Sequence, residues 1–118
     1  MDFAFTEGED SFRQEVRDFL RQEVPREVQR ERIQSTGWGF GRNSREFLRK
    51  LGSKGWLAIN WPVENGGLGR SVIYRFILED ELGYALGPGV GVGSGIVAPI
   101  LLKRGTPEQK QEFLPRIA

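Results

Sequence analysis

Apolar residues recur at intervals of three and four along most of this chain, and few runs alternate in the strand-like way, so the pattern predicts helices joined by short breaks. The first stripe is Phe12, Val16, Phe19, Leu20 and Val24, and it stops at Pro25, which cannot donate the next helical hydrogen bond. Thr6 with Glu9 three residues on has the form of a capping box, which places the start of that helix. A second short helix is predicted over 25–33. Asn43 and Glu46 form another capping pair, leading to Phe47, Leu48 and Leu51 before Gly52 and Gly55 end the turn. Ser71 is placed to cap a helix whose inner side carries Ile73, Phe76, Ile77 and Leu82, ending near Gly83. Residues 96–102 are almost wholly apolar, which predicts a helix buried on most sides. Thr106, with Pro107 at the first helical position and Gln109 at the third, opens the last helix. Together these elements predict one all-α domain over 1–118, a bundle of five or six helices.

Three connecting segments stand out. Residues 35–41 hold glycines around Trp38 and Phe40 and read as a loop. Residues 55–69 contain Trp56, Trp61-Pro62 and the glycines 66, 67 and 69, a combination that suits either a loop capping the core or a contact with another domain. It is read here as a structural junction. Residues 87–95 carry glycine at nearly every second place, yet match neither the dinucleotide fingerprint nor the phosphate-binding loop. Glycine within a helix costs about 1 kcal/mol relative to alanine. Such accumulation therefore points to a steric need, either close packing of another helix or a wall that leaves room for a ligand.

Composition narrows the chemistry. The 118 residues are 38% hydrophobic, enough for a single core, and 17 Lys+Arg against 16 Asp+Glu leave a net charge of +1. No global field recruits polyanions, so nucleic-acid binding is not expected. The absence of Cys and His removes thiol nucleophiles, imidazole bases, disulfides and the usual zinc ligand sets. Arg13, Arg17 and Arg21 form a ridge, but Glu15, Asp18, Glu23 and Glu27 interleave with it, as on a face that is solvated or paired with neighbouring helices. Glu79, Asp80 and Glu81 diverge by about 100° per residue on a helix and cannot converge on one site. The start of the chain, acidic at Glu7, Glu9 and Asp10, lacks the features of a secretion signal, and 90–102 is too short and too broken by glycine to span a bilayer. A cytoplasmic protein without a membrane span is expected.

Several segments, in order, resemble the amino-terminal helical domain of the acyl-CoA dehydrogenase family. Asp2-Phe3 through Leu20 is similar to its opening helix, and 51–69 to its "lGWl…wPxxxGGxG" junction. Leu78-Glu79-Asp80-Glu81-Leu82-Gly83 is similar to its "l-x-E-E-L-g" helix, and the stretch from Gly105-Thr106 to Ile117 to its "GTxEQKxxFLPxI" ending. The resemblance implies a longer enzyme with a middle β-domain and a carboxy-terminal helical domain, which uses FAD to desaturate an acyl-CoA thioester between Cα and Cβ. It places the glutamate base and most flavin contacts in those other domains. No catalytic, cofactor-binding or metal-binding residue is therefore assigned here, and the isolated chain is expected to be inactive and not to hold FAD. Implied partners are the acyl-CoA substrate, the remaining domains, further subunits in a homo- or hetero-oligomer, and electron-transfer flavoprotein as acceptor.

The same resemblance implies that this domain supplies one wall of the acyl cavity, over 87–99, with Gly91, Val92 and Gly95 as the wall residues. A wall so rich in glycine leaves space for a bulky acyl group, branched, aromatic or steroid-derived. Two other readings keep the fold: a flavin oxidase or monooxygenase of the same architecture, and a non-catalytic helical interaction module that docks through its tryptophan loop.

Overall fold

The computed structural model describes residues 4–34 and 41–118. Among the described residues six helices follow one another, α1 Glu7–Glu23, α2 Arg26–Gln34, α3 Arg42–Ser53, α4 Val72–Tyr84, α5 Ala98–Arg104 and α6 Pro107–Ile117. Two single 3₁₀ turns, Trp56–Ala58 and Val63–Asn65, lie between α3 and α4, and a π turn, Gly93–Val97, leads into α5. There is no strand among the described residues, in keeping with the predicted all-α bundle. The loop expected around Trp38 and Phe40 lies outside the described residues. No described helix is long and apolar enough to cross a membrane.

Two helix starts form as their local sequence dictates. The Thr6 N–H donates to Glu9 Oε2 at 2.8 Å while the Glu9 N–H donates to Thr6 Oγ1 at 3.3 Å. Thr106 and Gln109 repeat the exchange at 3.0 and 3.2 Å. Each box satisfies two of the amides that a helix start leaves without partners. The α3 start departs from expectation. Its helix begins at Arg42, so Asn43 lies inside the first turn and cannot cap it. The cap comes instead from Glu31 on α2, whose carboxylate accepts from the Asn43 N–H at 3.1 Å, Asn43 Nδ2 at 2.8 Å, the Ser44 N–H at 2.8 Å and Ser44 Oγ at 2.7 Å. Glu46 turns to Arg42, 3.1 Å away. Ser71 occupies the cap position of α4, but its side chain makes no cap hydrogen bond.

The core is built where α1 lies against α4. Phe12, Val16 and Leu20 are buried with Ile77, Leu78 and Leu82, while Phe19 and Val24 pack at the margin. The expected inner face of α4 is rotated: Ile73 and Phe76 stand exposed at 38% and 55%, and Leu78 and Glu81 are turned inward. The side of α4 that meets α1 carries a glutamate among its apolar residues. Glu81 is buried against α1, with Oε2 2.9 Å from Arg17 Nε and Oε1 3.4 Å from Arg13 Nε, and Asp80 Oδ2 lies 3.3 Å from Arg13 Nη2. Arg13 and Arg17 of the ridge and Asp80 and Glu81 of the acidic run thus form one interhelical ion cluster. Glu79 turns away to Arg75, and Arg21 stays outside with Asp18.

Both tryptophans of the junction are interior. Trp56 meets Phe12 and Phe19 edge-on, with ring centroids 5.6 and 5.2 Å apart, the arrangement favoured by ring quadrupoles. Trp61 joins a second cluster with Ala58, Ala98 and Leu114, beneath α5 and α6. The chain turns tightly around it: a Cβ on Gly67 would sit 2.2 Å from the Trp61 carbonyl oxygen, so only glycine fits there.

Residues 96–102 form the expected helical course but are not buried on most sides. Ala98 is interior, whereas Ile96, Val97 and Ile100 are 49%, 40% and 59% exposed. The Trp61 and Leu114 cluster covers one side of this segment and the rest faces outward.

Candidate functional site

Beyond α4 the backbone passes through Leu86, in the left-handed region at φ 53°, and then buries Gly87 and Pro88. Gly91, at φ +82°, makes a bend that a side chain would strain. The course then becomes a π turn, closed by the Ala98 N–H donating to the Gly93 carbonyl five residues back. Such single π turns insert one residue into a helix and shift the direction of the side chains that follow.

A polar node holds the turn against the tryptophan junction. Ser94 is buried and its Oγ donates to the Leu57 carbonyl oxygen. Arg75 Nη1, from α4, lies 3.0 Å from Ser94 Oγ and 3.1 Å from the same carbonyl, and Arg75 Nε donates to Glu79. The Arg75 side chain is 11% exposed. Its charge is therefore satisfied by a carboxylate, a hydroxyl and a backbone oxygen, as a guanidinium withdrawn from water requires.

The residues singled out by sequence sit on the outer side of this turn. Val92 and Gly95 are exposed and Gly91 is half-buried, next to the exposed Ile96, Val97 and Ile100. A Cβ on Gly95 would find only Val90 Cγ2 at 3.9 Å and Arg75 Nη2 at 4.0 Å, ordinary contacts. Packing within this chain does not demand glycine there. Gly93 differs, since its Cβ would meet Ile117 Cγ2 at 3.3 Å. Gly95 opens on a depression of about 580 Å³, bordered by Trp61, Arg75, Ser94, Ile96 and Pro99, whereas Gly91 and Val92 lie outside its rim. The depression is open to solvent, so these residues offer one surface.

Arg75 and Ser94 were not singled out by sequence. The available signals were a serine within a glycine run and an arginine between the apolar Ile73 and Ile77 of one helix.

A family model described as acyl-CoA dehydrogenase, N-terminal domain, matches residues 6–118. The chain is 38% identical to acyl-CoA dehydrogenase FadE26 of Mycobacterium tuberculosis, over all of this chain and 30% of that protein. It is 34% identical to the mouse (Mus musculus) mitochondrial long-chain specific acyl-CoA dehydrogenase, over 96% of this chain and 25% of the relative. Among solved structures, the ChsE4-ChsE5 complex from Mycobacterium tuberculosis superimposes with a TM-score of 0.83 at 36% identity, covering 99% of this chain and 29% of that one. The Tcur3481-Tcur3483 steroid ACAD gives a TM-score of 0.85 at 38% identity, covering 99% and 30% respectively. The chain thus spans less than a third of the length of these relatives. On sequence and fold alike, it belongs to the acyl-CoA dehydrogenase family and matches the amino-terminal helical domain of those enzymes.

Proposed function

We propose that this domain is part of an FAD-dependent acyl-CoA dehydrogenase that desaturates an acyl-CoA thioester between Cα and Cβ, and that its Gly91, Val92 and Gly95 surface forms one wall of the acyl pocket. The observation that supports this most is the apolar, outward-facing π turn. Val92, Ile96, Val97 and Ile100 remain exposed in one segment, and Gly95 leaves open space where nothing in the chain requires glycine. An apolar surface of this kind suits an acyl chain and keeps water from it once the rest of the enzyme closes the other side.

The division of labour follows from the residues present. FAD, held by the rest of the enzyme, supplies the acceptor for the hydride leaving Cβ. This chain has no His or Cys, and the buried carboxylate among the described residues, Glu81, is committed to Arg13 and Arg17. Its part is to bind and orient the acyl group, which fixes the distance of Cα and Cβ from the reacting groups. A cytoplasmic enzyme, homo- or hetero-oligomeric and reoxidised by electron-transfer flavoprotein, completes the proposal. The description of one structural neighbour as a complex of two named chains supports the oligomeric part.

The same surface would suit a bulky acyl group, because Gly95 leaves open space on the depression. A structural neighbour described as a steroid ACAD supports this. The test is a substrate series on the full-length enzyme carrying this domain. Polycyclic or branched acyl-CoA esters are expected to give higher kcat/KM than straight medium-chain esters, and equal or better turnover of the straight-chain esters would refute the bulky-substrate reading.

A further inference from the structure

We infer that Arg75 is a positioning residue for substrate choice: by binding Ser94 and the Leu57 carbonyl together, it fixes the π turn and so sets how far the Gly91–Gly95 surface recedes. This rests on the reading of that surface as the acyl wall.

The anchor is buried. Leu57 lies in the turn Trp56–Ala58, all three residues of which are buried, and Trp56 is locked between Phe12 and Phe19. Arg75 projects from α4, a helix held to α1 by core packing and the Glu81 cluster. The guanidinium bridges these two fixed elements to the hydroxyl of Ser94, the second residue of the π turn.

The wall depends on that tie. A π turn carries one residue more than an α-helical turn, and relaxing it to a regular α course would turn the side chains beyond it by about 100° about the axis. Pro99 and Leu102, which follow the turn and border the depression, would then be redirected relative to the space in front of Gly95. Arg75 also stands directly behind that space, since its Nη2 is the polar atom nearest a Cβ built on Gly95, at 4.0 Å. A contact that held the fold alone could be made anywhere along α4. This one is made at the residue adjoining Gly95, on the rim of the depression.

The experiment compares the full-length enzyme with Arg75→Met, Arg75→Lys and Ser94→Ala, using kcat/KM for one polycyclic and one straight-chain acyl-CoA well below the melting temperature. The expected result is a fall of about fivefold or more in the polycyclic-to-straight ratio for Arg75→Met and Ser94→Ala, carried mainly by KM, with Arg75→Lys recovering part of it. A purely structural clamp would lower the melting temperature and leave the ratio within about twofold of the parent, and that outcome overturns the inference. Should Arg75→Met not fold, Ser94→Ala, which leaves the Arg75 bond to Leu57 in place, reads the same ratio. If the parent enzyme itself shows no preference for the polycyclic ester, the acyl-wall reading falls and this inference with it. If the parent shows the preference and Ser94→Ala keeps it, the inference alone falls.

Discussion

Arg17 Nε on α1 lies 2.9 Å from Glu81 Oε2 on α4, and Glu81 is only 4% exposed. The bond holds the Arg17 guanidinium above its ordinary basicity, first through the hydrogen bond to Glu81 and then through that carboxylate's charge. Arg13 reaches the same carboxylate from one helical turn away, with Phe5 beneath its guanidinium. Replacing Glu81 with Gln would leave two arginines facing a neutral group inside the α1–α4 contact. A loss of about 1.5–3 kcal/mol is expected, below the range for fully buried pairs because both arginines are partly solvated. Urea unfolding of the variant chain followed by far-UV circular dichroism measures it.

Glu31 gives the domain an acid-sensitive joint. The Ser44 hydroxyl and N–H, followed by the Asn43 donors, lower its pKa to about 2 from an ordinary value of 4.5. Because the folded value is the lower one, the stability it contributes is fully present above pH 4.5 and is lost as the pH falls towards 2. In Glu31→Gln the urea midpoint should depend less steeply on pH across that interval than in the parent. Parallel pH profiles would contradict the cap assigned to Glu31.

Gly67 tests the junction around Trp61. An alanine there would place a methyl carbon 2.2 Å from a backbone oxygen that cannot swing away. The turn must deform, at an expected cost of about 1–3 kcal/mol. A red shift in tryptophan emission is expected if the deformation lets water reach Trp61. The control is Gly95→Ala, where only ordinary contacts await the new methyl and stability should be unchanged or slightly improved.

What could be read in the sequence divides by range. Both capping boxes are three-residue affairs, and Thr6–Glu9 and Thr106–Gln109 form as their spacing predicts. The α1 stripe was equally legible because its buried residues, Phe12, Val16 and Leu20, are all apolar. On α4, Ile77 and Leu82 face the core as the pattern predicts, but Ile73 and Phe76 do not, because apolar periodicity does not count a buried glutamate and the inner side includes Glu81 paired with α1. The cap of α3 was missed because Glu31 arrives from another helix. For the candidate site, the glycine run marked a segment but not what holds it, since Arg75, Ser94 and Leu57 meet across 18 to 37 residues of chain, beyond any local spacing rule.

The most direct test of the acyl-wall assignment is the ratio of kcat/KM for a polycyclic to a straight-chain acyl-CoA in the full-length enzyme carrying Gly95→Leu. The added side chain would project into the open depression and fill the space proposed for the bulky group, while the melting temperature of the enzyme stays close to that of the parent. The predicted result is a fall in that ratio of about tenfold or more, equivalent to about 1.4 kcal/mol of transition-state binding. An unchanged ratio in a well-folded variant would contradict the assignment of this surface to the acyl pocket.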